Sequence, residues 1–156
     1  MTKIKSHNWE GVLASPNFSP FGKQKFSVKI LRSENKTITI GLALESTNLK
    51  VGAYTQATSW MLHCYSGEVW ISGSYNKYLD NNVVAAVKEG DIITVKFDAD
   101  ARTLIFEVNG IPAGSSIELK LSQEQISHMC PAVDMRESFQ EIQFVHEKIY
   151  KTKNGT

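Results

Sequence analysis

Cysteine is scarce: the chain holds two, Cys64 and Cys130, too few for the disulfide framework that staples small secreted domains. An excess of one charge is missing as well. The 17 basic and 16 acidic side chains leave a formal net charge of +1, which argues against nucleic acid as the main partner. No apolar run approaches the ~20 residues that cross a bilayer, so no membrane partner is expected. The opening residues, MTKIKSHNWE, lack the apolar core of a signal peptide, and a cytoplasmic location is expected. In that setting the Asn-x-Ser/Thr triplets at Asn17, Asn35 and Asn154 carry little meaning.

Catalytic signatures are absent too. There is no Gly-x-Ser-x-Gly elbow, no His-Glu-x-x-His and no glycine loop for phosphate. The histidines at 7, 63, 128 and 146 have no partner motif and read as structural or surface residues. Asp98 and Asp100 fall where a turn wants Asp. His63 and Cys64 are strand neighbours, so their side chains point to opposite faces and one zinc ion could hardly take both. His128 and Cys130 alone cannot close a structural site. The expectation is a non-enzyme with no cofactor and no metal.

What the chain does have is alternation. Its 156 residues suit one domain, and 42% hydrophobic with 21% charged residues is an ordinary globular mixture. Phe26, Val28 and Ile30 alternate with polar residues, as do Ile38, Ile40, Leu42 and Leu44 with smaller ones. Trp60, Leu62 and Cys64 form another such set; Leu104, Phe106 and Val108, then Ile142 and Phe144, complete the series. Period two marks half-buried strands. Trp9, Trp60, Phe26, Phe97, Phe106 and Phe144 read as core. Trp70 stays open, because either it or its neighbours Val69 and Ile71 could face inward.

Turn chemistry separates the runs. Ser33-Glu34-Asn35-Lys36 reads as a four-residue hairpin loop, Ser66-Gly67 as another turn, and Asn109-Gly110 as a tight hairpin with positive backbone angles. Ser122 and Gln125 have capping-box spacing, predicting one short helical turn near residues 122–128. The pattern predicts an all-β, two-sheet antiparallel sandwich over residues 7–147, with frayed ends at 1–6 and 148–156. Long connections at 14–23, 45–58, 74–87 and 134–140 are the natural binding surfaces on such a scaffold.

Several of these stretches, in order, resemble the SPRY domain family. They are Ile40-Gly41-Leu42-Ala43, Val51-Gly52, Ser59-Trp60, Gly90-Asp91, Thr103-Leu104-Ile105-Phe106-Glu107-Val108-Asn109-Gly110, Gly114 and Pro131-Ala132-Val133. The resemblance implies a bent, jelly-roll-like sandwich that binds a peptide or protein loop through loops at one end, without catalysis. Members often serve in ubiquitin-ligase substrate receptors, immune sensors, channels or scaffolds. In peptide-binding members a Tyr just after Val-Gly helps form the pocket; here Ala53 intervenes before Tyr54. Where some receptors carry Val-Trp-Gly, this chain has Arg136-Glu137-Ser138, which implies a ligand preference of its own. Arg136, Glu137 and Phe139 are candidate contacts there, since Arg can fork to a carboxylate and an exposed aromatic can anchor an interface. Tyr75 and Tyr78 are further candidates. The expected protein is a monomer with a protein or peptide partner; a carbohydrate-binding lectin-like sandwich is the alternative.

Overall fold

The computed structural model describes residues 3–5, 10–13, 18–33, 38–48, 50, 55–64, 66–75, 87–135 and 140–145. In chain order the first strands are β1 (Lys3–Lys5), β2 (Glu10–Leu13), β3 (Lys23–Arg32), β4 (Ile38–Leu44) and β5 (Ser59–His63). Next come β6 (Glu68–Ile71), β7 (Ser74–Tyr75), β8 (Ile92–Asp98), β9 (Thr103–Val108), β10 (Ile111–Pro112) and β11 (Ile117–Glu118). A short helix, α1 (Gln123–Ile126), precedes β12 (Met129–Met135) and β13 (Glu141–Phe144).

Among the described residues the strands form two antiparallel sheets. One runs β1-β13-β3-β8-β9-β10, with β11 also on β9; the other runs β2-β12-β4-β5-β6-β7. Alternation explains why they pack. Val28 and Ile30 of β3, Val95 and Phe97 of β8, and Leu104 and Phe106 of β9 meet Ile40 and Leu42 of β4, Trp60 and Leu62 of β5, and Val133 of β12 in one buried core. Removing this apolar surface from water is the main force joining the sheets. Phe18, inside a stretch that reads as a loop, belongs to this core and packs against Phe26 and Phe97 with ring centroids 6.0 and 5.7 Å away.

Local signals are realised where they were read. Asn109 and Gly110 both take positive φ, 51° and 81°, between β9 and β10. The Asn109 carboxamide oxygen accepts from the Ile92 N–H at 2.9 Å, tying the hairpin to β8. The Ser122 hydroxyl accepts from the Gln125 N–H, and the Gln125 side chain accepts from the Ser122 N–H, a complete capping box. Asp98 accepts from the Ala101 N–H at 2.9 Å, the turn role expected of it. Trp60 is buried, whereas Trp70 lies half-buried on the outer face, because Val69 and Ile71 point inward.

Two local readings are corrected. Residues 33–37 do not close a hairpin: β3 pairs with β13 and β8, whereas β4 pairs with β12 and β5, so this connection crosses between the sheets. Alternation reports which face of a strand is buried and is silent about its neighbour. Lys3–Lys5, in the stretch expected to fray, forms β1 against β13, with Ile4 opposite Ile142; pairing with a sheet edge satisfies its backbone groups.

Candidate partner-binding site

Leu44 at the end of β4 faces Met129 at the start of β12, and Ile38 faces Met135 six residues along. The roots of the 45–58 and 136–139 connections therefore lie at opposite ends of this strand pair, roughly 20 Å apart. The outer face of the six-stranded sheet lies between these two roots. That face is inset with small or buried side chains: Ala43, Met61 and Ala132 form a second apolar cluster, with Leu13 against it.

At the end bearing the 45–58 connection, side chains hold the root of the loop. The Gln56 carboxamide acts like a short strand for Asn48, accepting from its N–H at 2.9 Å and donating to its carbonyl at 2.7 Å. The Asn48 carboxamide oxygen accepts from the Lys50 N–H at 3.0 Å, and the Thr47 and Thr58 hydroxyls share a hydrogen bond of 2.7 Å. These bonds clamp the root of the connection. Beside it runs the β6–β7 turn at Ser72 and Gly73. Gly73 has φ +80°, and a β-carbon there would sit 2.6 Å from the Thr55 carbonyl oxygen. Glycine is thus required both by the left-handed backbone and by the close approach of the loop.

At the end of the 45–58 connection, Thr58 lines a groove of about 600 Å³ together with Leu44, Glu45, Glu124, Gln125 and His128 among others. The His128 Nδ1 lies 2.8 Å from the Glu45 carboxylate, and both side chains are about half exposed. Cys130 is buried just inside; burial, then the nearby Glu45 charge, pushes its thiol up to about 11. Acidic groups beside a histidine suit hydrogen-bonded recognition of a polar ligand, and among the described residues no cluster of three or more His, Cys, Asp or Glu is placed to hold a metal.

A sequence profile of the SPRY domain matches residues 23–148. The chain belongs to the SPRY domain family. SPRY domains are generally non-catalytic protein-interaction modules. No curated protein matches the sequence as a relative. Among solved structures, the SPRY domain of human HERC1 superposes with a TM-score of 0.73 at 19% identity, covering 93% of this chain and 87% of that one. Another human SPRY domain gives 0.76 at 18%, covering 94% and 93%. The PSpry domain of TRIM65 gives 0.66 at 12%, covering 90% and 73%. At these identities the likeness is one of fold, and it matches the two-sheet sandwich.

Within this SPRY domain, Tyr54, Tyr78, Arg136, Glu137 and Phe139 lie outside the described residues. Tyr75 falls in β7, in register with Trp70. The described backbone brings the 45–58 connection against the β6–β7 turn, through Thr55 and Gly73, whereas the last long connection leaves from the far end. Glu45, His128 and Trp70 were not singled out as contacts. No spacing links residue 45 to residue 128; the Leu44–Met129 register does.

Proposed function

We propose that this SPRY domain is a non-catalytic recognition module that binds a peptide or protein loop at the junction of the 45–58 connection and the β6–β7 turn. It would serve as a substrate-recognition or scaffold domain of a cytoplasmic protein. The observation that carries the reading is the close approach of Gly73 to the Thr55 carbonyl. It joins the 45–58 connection, whose Thr58 lines the groove at Glu45 and His128, to the turn that follows β6 and its half-buried Trp70. Tyr54, from the 45–58 connection, and Tyr75 and Tyr78, from the stretch after the β6–β7 turn, would supply aromatic anchors. Arg136, Glu137 and Phe139 would contribute only to a ligand long enough to reach the far end of the β4–β12 pair. A clamped loop root limits the ordering entropy lost on binding.

The test is selection of ligands from a displayed peptide library, followed by calorimetry with the selected peptide. Tyr54→Ala or Trp70→Ala should weaken binding by about 2 kcal/mol where either is a central anchor. Arg136→Ala should matter for long peptides and not for short ones. Binding that survives both aromatic substitutions, with thermal melts unchanged, would move the site away from this junction.

A further inference from the structure

The chain contains two Asn-Gly pairs, Asn109-Gly110 and Asn154-Gly155. Such a pair is chemically fragile, because glycine has no side chain to keep its backbone nitrogen from attacking the preceding carboxamide. Asn109 and Gly110 join β9 to β10, take positive φ and are both exposed. A β-carbon built on Gly110 meets nothing within 4 Å. Water reaches this pair, and no neighbouring atom crowds the glycine.

What restrains the pair is a clamp on the Asn109 side chain. Its carboxamide oxygen accepts from the Ile92 N–H at 2.9 Å, and its carboxamide nitrogen donates to the Asp91 carboxylate at 2.9 Å. The Asn109 N–H donates to the Ile92 carbonyl at 2.8 Å. Asp91 is fixed in turn: its other carboxylate oxygen accepts from the Lys88 N–H at 2.7 Å, and its carbonyl accepts from the Ile30 N–H at 3.0 Å. A tight turn needs only the positive backbone angles, so these side-chain bonds are additional to it. While both stand, the carboxamide carbon cannot turn toward the Gly110 nitrogen.

We propose that Asn109 is a latent deamidation site, kept closed by Asp91 and the Ile92 N–H. When the clamp opens, the Gly110 nitrogen loses its proton to water and bonds to the Asn109 carboxamide carbon. The bond from that carbon to the carboxamide nitrogen breaks, and ammonia leaves with the proton. Water then opens the cyclic imide at either carbonyl, giving aspartate or isoaspartate at position 109. Either product has a carboxylate in place of the amide that donated to Asp91, so the clamp cannot re-form and the change is one-way.

The experiment incubates the full chain in mildly alkaline buffer, folded or unfolded in guanidinium, and follows the tryptic peptide of residues 103–120 by mass spectrometry. Asn109 is the one asparagine in that peptide. The folded parent should deamidate there about a hundredfold more slowly than the unfolded chain, the scale of two side-chain hydrogen bonds, one of them to a charge. Asp91→Ala should react about tenfold faster than the folded parent, and Asp91→Asn, which keeps a neutral acceptor, should fall between. Phe18→Ala, which weakens the core away from this turn, should react like the parent at temperatures where it stays folded. Equal rates in the folded and unfolded parent, or both Asp91 variants reacting at the parent's rate, would overturn the proposal. So would an acceleration in Phe18→Ala as large as in Asp91→Ala, since protection would then come from the fold as a whole.

Discussion

Glu45 and His128 are 83 residues apart in the chain, and their side chains meet at 2.8 Å across the mouth of the groove. Both are about half exposed, so solvent screens the pair and its part in stability is small, within about 1 kcal/mol. In the proposed site the pair would orient two polar groups toward the bound peptide. His128→Ala should therefore leave the thermal melt nearly unchanged and lower affinity for a peptide bound at this end. A large drop in melting temperature would instead make the pair a structural strut.

Gly73 and Gly110 separate two costs of a missing glycine. Both have positive φ, +80° and +81°, but a β-carbon at Gly73 meets the Thr55 carbonyl, whereas at Gly110 it meets open space. Gly110→Ala should cost only the backbone term, about 1 kcal/mol, and Gly73→Ala about 2–4 kcal/mol. Urea midpoints of the two variants give the comparison directly. Equal losses would mean that the loop yields freely, and the junction would not be rigid.

The two thiols make a pH prediction. Burial raises both above the ordinary 9.0, Cys130 to about 11 and Cys64 further. A thiol whose folded value is raised stays protonated in the fold while the unfolded chain ionises. The stability it supports is complete below pH 9 and is lost as pH rises through about 11 for Cys130. Unfolding free energy should fall between these values, and less steeply for Cys130→Ala. Neither thiol should react with a disulfide reagent at pH 8 without denaturant, since the thiolate is the nucleophile.

Among the described residues, Phe18 is the largest core side chain outside the strands. It is 2% exposed and packs on Phe26 and Phe97, and its N–H donates to the Met129 carbonyl at 2.9 Å. Phe18→Ala should cost about 3–5 kcal/mol through lost burial and the cavity left behind. Chemical denaturation would measure it. A loss below 1 kcal/mol would mean that the segment is only laid over the core.

Features that depend on neighbours in the chain were legible in the sequence. Alternation placed Val28, Ile40, Leu62 and Phe106 inside, and Asn109-Gly110 and the Ser122–Gln125 box each specify a turn through their own backbone and side chains. The ordered family stretches named the sandwich itself. Features that depend on which strands meet were not legible. Period two cannot assign β3 and β4 to different sheets, decide between Trp70 and its neighbours, or draw Phe18 from a polar, proline-bearing stretch into the core. Nor can it join Glu45 to His128 or Asp91 to Asn109. Local conformational preference acts over a few residues, while strand pairing is selected by burial of the whole apolar surface at once; only the assembled sheets decide which distant side chains become neighbours.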